Sequence, residues 1–135
     1  MSRALVVWCL VGLTLVGCSR PGVPMPADDA SPEQVVRAYA DAVHARDCDT
    51  ADALVTDPGQ SWCGDVDIAE LTVTSTTREA RATETGDGST VTRVRVDITT
   101  RGGDESLPDG EFQWSYLLDR SGPGGAWRID DQGMG

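Results

Sequence analysis

The chain has 135 residues, room for one small domain, and sets 22 Asp and Glu against 11 Lys and Arg for a formal net charge of −11. That balance excludes nucleic acid as a partner, because affinity for a phosphate backbone rests on Lys/Arg neutralisation and counterion release. All the basic residues are arginine and the chain has no Lys or Asn, the bias that a GC-rich coding sequence produces.

The N-terminus opens with Arg3 and then an apolar run, Ala4 to Val16, broken only by Gly12 and Thr14. The interval from Arg3 to Arg20 is shorter than the ~20 residues that cross a bilayer as a helix, and suits the apolar region of a signal peptide. Leu15-Val16-Gly17-Cys18 closes the run and resembles the bacterial lipobox. That resemblance implies cleavage after Gly17, a diacylglyceryl group on the Cys18 sulfur, and Cys18 as mature N-terminus. Two acyl chains give the stable anchoring that a single chain does not. The competing reading is an ordinary secretory signal in which Cys18 is incidental, or a short uncleaved anchor. With the codon bias, a lipobox points to a high-GC bacterium, an actinobacterium. Loss of Arg3 with residues 1–17 takes the net charge to −12. No Lys/Arg cluster follows to grip anionic headgroups, so attachment to the membrane would come from the lipid alone. The expected location is the outer face of the cytoplasmic membrane.

Residues 18–30 form the lipidated cysteine and a spacer. Ser19 to Ala30 holds three prolines, a glycine and two aspartates, a composition that favours extended chain and offers little to bury. The folded domain is expected over 31–135. Ser31-Pro32-Glu33-Gln34 is a helix start, with Ser as N-cap, Pro at the first helical position and Gln at the capping-box position. Val35, Val36, Tyr39, Ala42 and Val43 recur at helical spacing and predict a helix from about Pro32 to Arg46. A second, short helix is expected over Thr50 to Val55, entered through Asp49 and closed by Asp57-Pro58-Gly59, with Leu54 and Val55 in the core.

Of four cysteines, Cys9 leaves with the signal and Cys18 is the lipid site. Cys48 and Cys63 remain as an even pair in an exported, oxidising compartment, where a disulfide is the default. A redox-active pair is the rival, without the Cys-x-x-Cys spacing that helps lower a thiol pKa.

After Cys63 the pattern turns to strands. Ile68 to Thr85 is rich in Thr and Val, with Leu71 and Val73 out of phase with Ala80 and Ala82, which predicts a bulge between them. A turn over Thr85 to Ser89 leads to an alternating strand, Val91 to Arg101. Val94, Val96 and Ile98 share one of its faces, Arg93, Arg95 and Asp97 the other. After a turn from Gly102 to Gly110, Glu111 to Arg120 alternates again with Phe112, Trp114, Tyr116 and Leu118 together. A turn over Ser121 to Gly125 precedes a last strand, Ala126 to Asp130, carrying Trp127 and Ile129. The fold class is α+β: N-terminal helices packed on the apolar face of a curved antiparallel meander.

The Ser-Pro-Glu-led helix, the Cys48/Cys63 pair around a short helix, Gln60-Ser61-Trp62-Cys63-Gly64 and Ala126-Trp127-Arg128-Ile129-Asp130-Asp131 resemble small actinobacterial lipoproteins of the nuclear transport factor 2-like superfamily. The resemblance covers about Ser31 to Asp131 and implies a cystatin-like cone whose concave sheet faces the helices. That superfamily hosts isomerase-like and dehydratase-like enzymes, ligand binders and interaction domains, so fold does not choose among them.

The chain carries no nucleophile elbow, phosphate-cradling loop or full calcium loop. Its one histidine, His44, is expected exposed near the end of the first helix, and with Cys48 and Cys63 bridged no ordinary zinc set can be assembled. Asp47-x-Asp49 and Asp65-x-Asp67 read as caps and turns. Tyr39 with Asp97 or Asp49 is the best acid/base pair available, although Asp97 is expected on the outward face. Trp62, Trp114 and Trp127 read as core fillers, and Tyr39, Trp114 and Tyr116 are the candidate lining of a cavity. The favoured function is a non-catalytic interaction domain, accessory to an envelope protein complex, with no cofactor and no metal. The alternative is a binder of a small apolar ligand or lipid in the cone, and an isomerase- or dehydratase-like enzyme ranks last.

Overall fold

A computed structural model describes residues 21–81, 90–107, 109–120 and 124–135. The lipobox with Gly17 and Cys18, the turn over Thr85 to Ser89, Ala82 and the tip at 121–123 lie outside them.

Helix α1 spans Pro32–Ala45 and begins as the sequence predicts. The Ser31 hydroxyl accepts the Gln34 N–H at 3.3 Å and the Gln34 side chain accepts the Ser31 N–H at 2.8 Å, which satisfies two donors of the first turn. It ends one residue before the predicted Arg46, whose backbone takes the left-handed conformation (φ 57°) and turns the chain. All five predicted stripe residues are buried. Helix α2 spans Cys48–Ala53, starting two residues before the predicted Thr50. The cap is Asp47, whose Oδ1 accepts the Thr50 N–H at 3.3 Å, and Asp49 falls in the first turn. Asp57 caps a separate 3-10 turn, Pro58–Gln60.

Four strands follow, β1 (Asp67–Ala80), β2 (Thr90–Arg101), β3 (Gly110–Arg120) and β4 (Trp127–Gly133), paired antiparallel in sequence order. The architecture is α+β, with an open four-stranded sheet. Val94, Val96 and Ile98 of β2 pair with Tyr116, Trp114 and Phe112 of β3, which gathers both predicted apolar faces on one side of the sheet. Strand β1 breaks register between Val73 and Ser75, so Leu71, Val73 and Ala80 fall on the same side of the sheet, the first two half-buried against the core and Ala80 exposed, and it breaks again between Ile68 and Glu70. Strand β4 runs to Gly133, past the predicted Asp130. A bulge there keeps the ladder going, and brings Gln132 opposite Tyr116 after Ile129 opposite Leu118.

Helix α1 lies against β1, β2 and β4 and is packed with α2. The core between them is built on Tyr39, Tyr116, Leu54, Ile98, Leu118 and Ile129. Leu54 to Thr56 runs along the outer margin of β4, with Ile129 N–H donating to Leu54 O (2.9 Å) and Thr56 N–H to Ile129 O (2.8 Å). Cys48 and Cys63 are joined, with Cα atoms 5.3 Å apart and a sequence separation of 15. Closing a loop of that size stabilises the fold by ~3 kcal/mol through the unfolded chain's lost entropy.

The segment read as a free spacer is engaged. Val23 packs on the core and donates its N–H to Asp47 Oδ2 at 2.8 Å, while the Thr50 hydroxyl donates to the same oxygen at 2.9 Å. Ala30 is buried. Composition describes what a segment lacks for building a core of its own, and misses its docking onto a neighbour's.

Two outcomes follow from these bonds. Serine at both Cys48 and Cys63 should lower the unfolding free energy by ~3 kcal/mol, read from denaturant titration of oxidised and substituted protein. The Thr50 hydroxyl first, then the Val23 and Thr50 N–H groups, hold the Asp47 carboxyl below its ordinary pKa of 3.8. A lowered carboxylate pKa means the bonds are present above the ordinary value and are lost as pH falls through the lowered one. The Val23 amide resonance should therefore titrate with a midpoint below 3.8.

Candidate functional site

The three candidate cavity residues are neighbours, but two of them are sealed in the core. Tyr39 and Tyr116 are both 0% exposed, inside the core, with rings meeting edge to face at 5.9 Å. Trp114 alone of the three reaches the surface, where it is half-buried. The loop after the 3-10 turn brings Trp62 against it, ring centroids 5.0 Å apart and planes tilted by 52°. Phe112 meets Trp114 edge-on at 5.9 Å. Trp62 and Trp127 are buried as core fillers, and Trp127 is covered by the Arg120 guanidinium 4.5 Å above its ring.

Around the two tryptophans lies an open cleft of about 310 Å³, whose lining includes Gln60, Trp62, Leu107, Trp114, Asp131 and Gln132. Gln132 organises it. Its amide oxygen faces the Trp114 indole N–H at 3.4 Å, and its amide nitrogen donates to the Gln60 carbonyl at 2.6 Å. The sequence reading missed Gln132, since strict alternation from Ile129 would aim Asp131 inward. Only the bulge in β4 reverses the two.

Beneath the cleft, the Tyr39 hydroxyl accepts the Trp62 N–H at 2.8 Å. Burial raises the Tyr39 pKa above 10.0, an effect that its hydrogen bonds with Trp62, Gln132 and Ser61 oppose. Burial, with Tyr39 beside it, pushes Tyr116 well above the same value. The Tyr116 hydroxyl has no hydrogen-bond partner among the described residues. Neither phenol reaches a cavity in a form that gives up its proton near neutral pH.

The remaining titratable candidates are dispersed. Asp97 pairs opposite Gln113 on the sheet face away from the core, as its place in the alternation predicts. His44 is exposed, and its Nδ1 lies 2.7 Å from Asp67 Oδ1, a surface ion pair when the ring is protonated. It borders a groove of about 200 Å³ with Arg37 and Asp41. Among the described residues no three His, Cys, Asp or Glu side chains stand close enough to hold a metal ion, and no helix is long and apolar enough to cross a membrane. Comparison with known proteins finds no matching family model, curated protein or solved structure.

The two tyrosines should answer oppositely to loss of the hydroxyl. Tyr39→Phe leaves the buried Trp62 N–H without an acceptor and should cost ~1–3 kcal/mol. Tyr116→Phe removes an unpartnered buried hydroxyl and should be neutral or stabilising by up to ~1 kcal/mol. Urea unfolding of both variants checks the pair.

Proposed function

We propose that this chain is a lipoprotein anchored through Cys18 to the outer face of the cytoplasmic membrane, and that its domain, a nuclear transport factor 2-like cone, works by contact with an envelope protein. Support for the anchor comes from Leu15-Val16-Gly17-Cys18 at the end of a short apolar run. The Cys48–Cys63 bridge agrees with an oxidising compartment. The observation that carries the contact role is the filled interior. Tyr39 and Tyr116 pack edge to face where a cone-type binder or isomerase would hold its ligand, and the open cleft that faces outward is lined by Trp62, Trp114, Asp131 and Gln132.

A second reading has one observation in its favour. The same cleft joins two tilted indoles to an amide and a carboxylate, a lining that also suits a small, partly apolar molecule.

The expected outcome in crosslinked envelopes is a protein in the membrane fraction whose mass gives a lipidated Cys18 as first residue. Cys18→Ser releases it, and Trp114→Ala with Gln132→Ala lowers the yield of its protein crosslinks at unchanged folding. A water-soluble product cut elsewhere sinks the anchor. Crosslinks indifferent to the cleft variants, with a small molecule retained by the wild type alone, favour the second reading.

A further inference from the structure

The chain enters the domain at one end of α1 but first touches it at the other. Val23 is held at Asp47, just past the C-terminal end of α1, whereas Ala30 packs beside Ser31 at its N-terminal end. A helix of 14 residues is ~21 Å long. Extended chain from Val23 to Ala27 at ~3.1 Å per step covers ~12 Å of that, and a turn closed by the Ala30 N–H on the Ala27 carbonyl (2.9 Å) then delivers the chain to Ser31. Residues 23–30 therefore run back along α1, in the opposite direction to it.

The fit at the far end is specific. Val23 N–H and the Thr50 hydroxyl both donate to Asp47 Oδ2, and Thr50 also reaches the Val23 carbonyl at 3.5 Å. Gly22 passes so close that an added Cβ would stand 3.0 Å from the same carboxylate oxygen. Pro21, Pro24 and Pro26 favour extended chain before the turn at 27–30 and carry no N–H to compete for that acceptor.

We infer that Pro21–Ala30 is a strap that moves the exit of the anchor from the Ser31 end of α1 to its Arg46 end. The lipidated domain then stands with the Arg46 end and α2 toward the bilayer. This rests on the Cys18 anchor proposed above. From Cys18 to Val23 the chain reaches at most ~18 Å, against ~45 Å from Cys18 to Ser31 were the strap free. The strap shortens the tether and fixes which end of the domain faces the lipid.

The test uses the full, processed and lipidated protein in phosphatidylcholine–phosphatidylglycerol vesicles carrying a headgroup-linked acceptor dye. A donor dye is placed through Ala53→Cys, on the short α2 that follows Asp47, or through Arg78→Cys, which shares a cleft with Ser31 and Pro32. Energy transfer should be severalfold stronger from position 53 than from 78. Val23→Pro removes the donated N–H while leaving the Asp47 cap of α2 intact, and should shrink the difference. Asp47→Ala should do the same and speed exchange of the Val23 amide by about tenfold or more. Equal transfer from the two positions in the wild type, or a difference untouched by Val23→Pro, overturns the orientation. Protein that does not float with the vesicles overturns the anchor instead, and the amide exchange of Val23 still separates that failure from a loose strap.

Discussion

The rest of the structure depends on one buried donor and its acceptor, the Trp62 N–H and the Tyr39 hydroxyl. A buried backbone amide must be satisfied, and here the loop between helices and sheet has no strand neighbour to do it. The phenol of α1 reaches out of the core and supplies the acceptor, while its ring stays wedged against Tyr116. The loop is fixed from its other side by the Cys48–Cys63 bond. Pinned twice, Trp62 has one place to go, and that place is against Trp114. The cleft is thus a by-product of how the helix is tied to the sheet.

The acidic surface bears on the proposed anchor as well as on partners. Charges in physiological salt are screened over ~8 Å, so under the proposed anchor a domain at the full ~18 Å reach of its tether would stand about two screening lengths from an anionic headgroup plane. Repulsion is weak there, and would become appreciable only if the domain lay down on the lipid. A strongly negative domain on a short tether is held upright by the same charges that keep it soluble.

Much of this fold was legible in the sequence because its apolar periods are clean. Five stripe residues in α1 and two alternating strands set the helix, the meander and the buried face. What escaped was set by single atoms. Asp47 and Asp49 are equivalent as helix-start signals, and only the side-chain oxygen that reaches the Thr50 N–H distinguishes them. The double break in β1 was half visible, as a phase change after Val73, while the break beside Ala69 left no apolar trace. Gln132 was hidden by a bulge one turn of the pleat away, and the strap by a composition that says nothing of a carboxylate more than twenty positions downstream. Tyr39 and Tyr116, expected as cavity lining, carry the apolar period of α1 and β3, and that position is why their rings sit buried in the core, with only the Tyr39 hydroxyl reaching the floor of the cleft.

The two margins of the sheet are treated differently, and the difference matters for molecules crowded on a surface. Along β4 the chain's own Leu54–Thr56 segment takes up the Ile129 backbone groups, so that margin already has a neighbour. Along β1 the margin is interrupted twice, and Thr74 turns its hydroxyl inward to the Arg95 carbonyl. A second copy seeking to add a strand there would meet a broken ladder flanked by Glu70 and Arg78, both exposed. Under the proposed anchor, confinement to two dimensions would raise local concentration sharply, and unguarded strand edges would then zip copies together. One border of this sheet has a neighbour at Ile129 and the other is broken twice, so neither offers an unbroken ladder to a second copy.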